Sequence, residues 1–335
     1  FFIRRQDRVE SLYSNVPYRA LLPKGYDGIL VTGLGMSAHA DAMPVMRMQR
    51  DIENHSYAAG YASALAGTEG TTVRKIDVEQ LQRHLADIGV IPEELIGAED
   101  SYPLSEIQIK TAVASVGRDY TGIAQILTQP ETALPLLREA HNRAEDETVR
   151  LRYAHVLGML RDGTGVETLI QAVAKAQWDK GYNFSGFGNH QLTSSPLDDV
   201  IIALGRTGDA RAMDVLIEKA RQLTPASDFS HFRALAVAFE SIRDPRAAEP
   251  LARLLRMPGF GGHAFREIQD VIQRTPGGLG DNTTRNVSLR ELILARALYR
   301  CGDHEGLGKT TLKAYRPDFR GHYATHAKAV LAKGG

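Results

Sequence analysis

Four stretches of the chain fall on one pattern: "LGMLRDGTGVETLIQAV" (157–173), "LGRTGDARAMDVLIEKA" (204–220), "FESIRDPRAAEPLARLL" (239–255) and, more weakly, "LYRCGDHEGLGKTTLKA" (298–314). Each carries a helix ending, then an aspartate (Asp162, Asp209, Asp244, Asp303), then an amphipathic helix starting one to three residues later. An aspartate at that place accepts a hydrogen bond from the open N–H groups of the next helix, worth ~1 kcal/mol. The helices before the turns are apolar along one stripe, as in Leu151, Ala154, Val156, Leu157 and Leu160. No such helix pair can bury its stripe alone, so pairs repeating every ~35 to 59 residues predict a stacked, HEAT-like α-solenoid. From about Ser105 onward no strand pattern interrupts it.

The uneven spacing comes from two long connections, "DKGYNFSGFGNHQLTSS" (179–195) and "PGFGGHAFREIQDVIQRTPGGLGDNTTRN" (258–286). Both are expected to follow the first helix of their repeat and to leave the solenoid on one edge. They share Gly186-Phe187-Gly188-Asn189-His190 and Gly259-Phe260-Gly261-Gly262-His263. Long loops in compact domains are often functional. One reading is a turn in which glycines permit unusual dihedrals and the phenylalanine tucks under the loop. The other is a shared contact surface, with Phe187, His190, Phe260 and His263 meeting a protein partner, a substrate or the first domain.

Composition narrows the classes of partner. Forty basic residues balance forty acidic ones in 335, so nothing points to nucleic acid or an anionic membrane. No apolar run approaches the ~20 residues that span a bilayer, and a soluble protein is expected. A single cysteine, Cys301, excludes an internal disulfide framework and a cysteine-based zinc site. The chain opens "FFIRRQDRVESLYSN" without an initiator methionine or a signal-peptide pattern, which reads as a fragment whose compartment is unknown.

The first 93 residues follow a different rule. "ILVTG" (29–33) is a short apolar run that predicts a buried strand, preceded by the proline- and glycine-rich loop "PYRALLPKGYDG". After the irregular "GLGMSAHADAMP", a helix is expected from about Gln49 to Ala66. Its "YAAGYASALAG" has the composition of a helix packed closely on a sheet. A second helix is expected over 77–90, with Leu81, Leu85 and Ile88 on one face and Gly89 as its C-cap. One strand makes no sheet, so its neighbours are expected upstream of Phe1.

Most candidate chemistry in the chain has a plain structural alternative. "GLGMSA" supplies two glycines of a G-x-G-x-x-G fingerprint, and "GGLGDN" (277–282) follows no strand. His322 and His326 share a helix face but have no carboxylate or cysteine beside them, and H-E-x-x-H and G-x-S-x-G are absent. No metal site is expected. Asp198 and Asp199 begin a helix, where carboxylates favour the dipole, and Trp178 is read as packing. Arg47 is open to two readings: a solvated side chain, or a fixed charge beside a helix N-terminus whose free amides stabilise an anion.

The blocks Pro17-Tyr18, Leu21-Leu22-Pro23-Lys24, Leu30-Val31, Gly33, Ser37-Ala38, Arg47-Met48-Gln49 and Ala58-Ala59-Gly60 occur in order within residues 16–66. This stretch resembles the closing segment of the FAD-dependent oxidoreductase family, within the two-dinucleotide-binding-domain flavoproteins. "VRKIDVEQLQRHLADIG" resembles the family's usual continuation, so the likeness covers about residues 15–90. It implies that "GILVTGLG" is the last strand of a flavin-binding sheet whose first half is not in this chain. The fold class implied is the last strand and helices of an α/β, Rossmann-like FAD-binding domain (1–93), a linker (94–104) and an all-α HEAT-like solenoid (105–335).

The resemblance also implies FAD as the cofactor of the full-length protein. Gly33, Leu34 and Gly35, with Ser37, would approach its ribityl and pyrophosphate. Met48, Gln49, Arg50, Asp51 and Ile52 would turn their amides to the pyrimidine end of the isoalloxazine. Arg47, and after it His39, are the candidate catalytic residues. Three departures stand out: Leu34 where the family has arginine, Arg50 in place of a proline, and Ser56-Tyr57 in place of Gly-Gln. The function implied is hydride transfer between an unknown small substrate and flavin. The alternative is a non-catalytic interaction scaffold carrying a relic flavin segment.

Overall fold

The computed structural model describes residues 15–39, 42–99, 102–185, 194–275 and 281–334. The chain divides into two compact units between Pro103 and Leu104. No helix among the described residues is long and apolar enough to cross a membrane.

In the N-terminal unit three short 3-10 turns, Tyr18–Leu21, Gly33–Gly35 and Met43–Val45, precede two helices, α1 (Gln49–Glu69) and α2 (Val78–Asp87). Helix α1 stops at Gly70, whose left-handed conformation ends it, and Asp77 caps α2 by accepting from the Glu79 and Gln80 amides. Ala58, Ala62, Leu65 and Ala66 of α1 meet Leu81 and Leu85 of α2 over Val73 and Ile76. Ile88, expected on that face, is instead 47% exposed. Residues 94–98 pack onto α2, the Gly97 amide donating to Gln82 Oε1 at 3.0 Å.

The expected strand over 29–33 is not formed. Residues 29–32 are in no regular element, and the Val31 amide donates to the Leu21 carbonyl at 2.8 Å. Local β propensity is there, but a ladder needs a second strand. None lies among the described residues.

Among its described residues the second unit is an all-α solenoid of thirteen helices: α3 (Glu106–Val116), α4 (Ile123–Thr128), α5 (Pro130–Arg143), α6 (Glu147–Met159), α7 (Val166–Lys175), α8 (Pro196–Arg206), α9 (Met213–Gln222), α10 (Phe229–Ile242), α11 (Ala248–Leu255), α12 (Ile268–Arg274), α13 (Thr283–Arg300), α14 (Leu307–Tyr315) and α15 (Gly321–Lys333). The pairs α6/α7, α8/α9, α10/α11 and α13/α14 are those of the sequence pattern. Helices α6, α8, α10 and α13 stack in one layer, while α7, α9 and α11 stack in a second. Asp209 and Asp244 accept from the amides of Arg211 and Arg246, each at 2.9 Å, and start the second helix through one 3-10 turn. Asp162 does the same for Thr164. Asp303 reaches further, to Gly308 at 2.6 Å.

Cations of one pair also close the helix ends of the pair before it. Arg206 Nε donates to the Met159 carbonyl at 3.2 Å, Lys219 to the Ala176 carbonyl, and Arg253 to the Ala220 carbonyl. A positive charge at such a C-terminus contributes about 0.3–1 kcal/mol. Helices α8 and α10 are buried nearly all round, Ile201 through Leu204 and Ala234 through Ala236 completely so.

The two long connections follow α7 and α11, the second helices of their pairs, and so join pair to pair. This corrects the sequence expectation. Among the described residues, side chains of α10 and α13 take up part of their polar backbone, Ser230 accepting from the Tyr182 amide and Asn286 from the Phe184 amide. Glu291 of α13 accepts from the Gly262 and His263 amides at 2.9 Å each and from Tyr315 Oη at 2.7 Å. Phe260 is fully buried, 5.0 Å ring to ring from Phe232 and with Arg290 over its face at 3.7 Å. It therefore offers nothing to a partner. His263 is half-buried, its Nε2 2.9 Å from the Gly259 carbonyl. Phe187 and His190 lie outside the described residues.

Candidate functional site

The glycine turn and the start of α1 are brought together. Gly33 has φ +66°, open to glycine at little cost, and a Cβ there would lie 3.9 Å from Ile52 Cγ2. Ser56 Oγ donates to Thr32 Oγ1 at 3.1 Å, so 32–33 lies along the first two turns of α1. A Cβ on Gly35 would sit 3.0 Å from Val31 Cγ1. Leu34 and Met48 are 69% and 62% exposed beside this junction. Ser37 is exposed, its amide held by the Ala20 carbonyl at 2.8 Å. His39 is exposed too, and its carbonyl accepts from the Ala42 and Met43 amides.

Helix α1 begins without a side-chain cap from Met48. The Ile52 amide is taken by the Met48 carbonyl at 3.0 Å, while Asp51 Oδ2 accepts from the Met48 amide at 3.2 Å. The Gln49 and Arg50 amides remain at the open end, where a helix presents uncompensated donors. Arg47 and Arg50 are exposed next to it, and Arg47 has no ion pair with a described carboxylate. Two donors, two guanidinium groups and a close-packed glycine turn suit one end of an anionic or electron-rich ligand. The Asp51 carboxylate works against this by placing negative charge at the same end.

The other faces of α1 differ. Toward α2 and the Tyr18–Leu21 turn lies a cleft of about 620 Å³ whose walls include Leu21, Met46, Ala58, Leu81 and Leu85, with Asp51, Asn54 and His55 among its lining. His55 is 8% exposed; Nε2 lies 3.4 Å from the Met46 carbonyl and Nδ1 is buried without a described partner. The third face carries Glu53, Tyr57, Gly60, Ala64 and Gly67, all exposed. A Cβ on Gly60 or Gly67 would meet nothing within 4 Å. Tyr57 Oη is 2.9 Å from His84 Nε2, and the Tyr61 ring stacks on His84 at 3.7 Å.

The sequence gives no direct sign of His55, although a histidine four residues past Asp51 on an Ala-rich helix marks the face that turns to α2. In the solenoid it also leaves unnoticed the buried partnership of Asp198 and His231. The signal was the setting of that histidine, "FSHFRALAVAF", where every neighbouring helix position except Arg233 is apolar or small. Among the described residues no three histidine, cysteine or acidic side chains gather as metal ligands. His322 packs on its neighbour Tyr323 at 4.0 Å, and burial lowers the pKa of His326.

Residues 5–85 match the family model described as FAD dependent oxidoreductase. That match contains the glycine turn, Arg47 and the whole of α1, and it covers less than half of the chain. Among solved structures, the complex of CpcE and CpcF of phycocyanin lyase from Nostoc sp. PCC7120 is similar at 21% identity, over 53% of this chain and 68% of that chain, with a TM-score of 0.28. No curated protein matches the chain in sequence.

Proposed function

We propose that the N-terminal unit is the closing segment of a flavin-binding domain and that the complete site belongs to an FAD-dependent oxidoreductase fused to a HEAT-like helical solenoid. The observation that carries this is where the family match falls. The stretch matching the FAD dependent oxidoreductase family is the stretch in which Gly33 packs on Ile52 at the open end of α1.

Two further features support it. Residues 29–32 carry an apolar run with no ladder partner among the described residues, and α1 exposes the stripe Gly60, Ala64 and Gly67, which admits another element at close range. In this reading the sheet and the adenine end of the site come from sequence outside these 335 residues. Gly33, Leu34 and Gly35 face the ribityl and pyrophosphate. The Gln49 and Arg50 amides, with Arg47, face the pyrimidine end and stabilise negative charge there. The flavin itself, when bound, supplies the hydride chemistry. The side chain of Leu34 offers no hydrogen bond, so recognition at that turn falls to the backbone.

One observation favours a non-catalytic scaffold instead: Asp51 occupies the Met48 amide and puts a carboxylate where reduced flavin accumulates charge. A spectrum of the protein from its complete reading frame separates the two. A flavin absorption band, with FAD released on denaturation and retention weakened in Arg47→Ala, supports the oxidoreductase. A colourless protein that gains no band on reconstitution with FAD establishes the scaffold.

A further inference from the structure

His231, in the first turn of α10, is 4% exposed and lies between two acceptors. Its Nδ1 is 2.8 Å from Asp198 Oδ1, and its Nε2 is 3.1 Å from the main-chain carbonyl of Asp179. A carboxylate and a carbonyl both require a donor. A neutral imidazole has one N–H, so it can satisfy only one of them, whereas the imidazolium satisfies both. Asp198 is fully buried; its other oxygen accepts from Ser230 Oγ at 2.6 Å and from the Ser195 amide at 2.7 Å. An ionised Asp198 therefore has a donor on every side, and the pair carries no net charge.

The carbonyl that faces Nε2 belongs to the connection after α7, and that connection is laid directly over the ring. Trp178 packs on His231 at 4.4 Å between ring centroids. Gly181 lies so near that a Cβ would be 2.7 Å from Nε2. Beyond it the Tyr182 amide donates to Ser230 Oγ at 3.0 Å, Asn183 Nδ2 donates to Asp228 at 2.6 Å, and the Phe184 amide donates to Asn286 Oδ1 at 2.8 Å. The charged groups around the pair are Asp198 and Asp199 from α8, Asp179 and Asp228 from the connections, and Arg233 from α10 itself.

We propose that His231 is held as an imidazolium and ties residues 179–182 to α8 and α10, so that loss of one proton from its ring loosens the segment there while the Asn183 and Phe184 contacts still hold its far end. Deprotonation leaves a lone pair facing either the Asp179 carbonyl or the Asp198 carboxylate. The nearer, charge-assisted partner keeps the remaining N–H, so the Asp179 bond breaks. The segment that loosens is the approach to the shared Gly-Phe-Gly string of 186–190.

The test is nitrogen-15 NMR of the ring in the unmodified protein, with amide hydrogen exchange read in parallel from acid to alkaline pH. At pH 6 both ring nitrogens are expected to carry protons. On raising the pH, the Tyr182 amide, which donates to Ser230 Oγ, is expected to lose protection at least tenfold beyond the intrinsic base catalysis, in step with the ring's titration, and the Phe184 amide less so. In His231→Asn, which keeps a donor group near the Nδ1 position and has none at Nε2, protection at the Tyr182 amide is expected to be weak at every pH. A ring with one unprotonated nitrogen at pH 6 overturns the proposal. So does exchange that ignores the titration, even if the variant fails to fold.

Discussion

Gly205 of α8 lies so close to α10 that a Cβ on it would stand 2.2 Å from the Cα of Ala238. One pair earlier the same repeat position is Gly158, whose added Cβ would stand 2.6 Å from the Ala203 carbonyl oxygen. One pair later it is Glu240, and there the contact is ionic: Glu240 Oε2 accepts from Arg296 at 2.8 Å, and its other oxygen pairs with Arg300. The stack is thus held at one position by backbone proximity twice and by a carboxylate once. Gly205→Ala meets main chain rather than a movable side-chain tip, so it is expected to cost about 3 kcal/mol in urea unfolding. Glu240→Ala leaves two partly buried guanidinium groups without their counter-charge and is expected to cost about 2 kcal/mol. A change below about 0.5 kcal/mol in either would remove that contact from the account of the stack.

Gly60 and Gly67 of α1 should behave in the opposite way. Nothing lies within 4 Å of a Cβ at either position, and both are in helical conformation. Replacing each with alanine in the 335-residue chain is expected to raise stability by about 0.5–1 kcal/mol through helix propensity alone. In the protein from the complete reading frame the same substitutions should weaken FAD retention, because the proposed flavin-domain packing uses that face. Greater stability with unchanged FAD binding would show that the small residues serve no contact.

The helix–aspartate–helix pattern was legible because its causes are local. Asp209 and Asp244 bond to amides two residues on, and the apolar stripes follow helical period. What was hidden depends on distant partners. Phe260 looks like a loop residue until Arg290 of α13 and Phe232 of α10 close over it. Asp198 reads as an ordinary first-turn carboxylate, as it partly is, since the Ser195 amide donates to it. Its bond to His231 spans thirty-three positions, and local pattern carries no trace of that. The 29–32 segment shows the reverse failure, a correct local propensity without the neighbour that would realise it.

Cys301 should be chemically silent in the folded protein. It is 1% exposed at the end of α13, its Sγ lies 3.4 Å from the Phe239 carbonyl, and burial pushes its thiol pKa up to about 12. The thiolate is the reactive species, so a disulfide reagent at pH 8 is expected to modify it only as fast as the solenoid opens. Adding urea up to the unfolding midpoint should accelerate the reaction in proportion to the unfolded fraction. Rapid modification without denaturant would show that α13 frays at this end.

The buried Asp198–His231 pair also sets how stability follows pH. Burial drives the Asp198 carboxyl upward, but hydrogen bonds from His231, Ser230 and Ser195 and the charge of His231 outweigh it, leaving the pKa below the usual value of 3.8. Burial likewise opposes the charge on His231, yet Asp198 and Asp179 raise its pKa above 6.5. A depressed carboxyl gives stability that is present above the unfolded pKa and lost as pH falls through the folded one. A raised imidazole gives stability that is complete below pH 6.5 and lost as pH rises through its folded pKa. The pair therefore contributes most between those limits. In urea titrations Asp198→Asn is expected to flatten both limbs of the profile, whereas His231→Gln should remove the alkaline limb and leave Asp198 buried without a counter-ion. An alkaline limb that survives in both variants would locate the titrating group elsewhere in the solenoid.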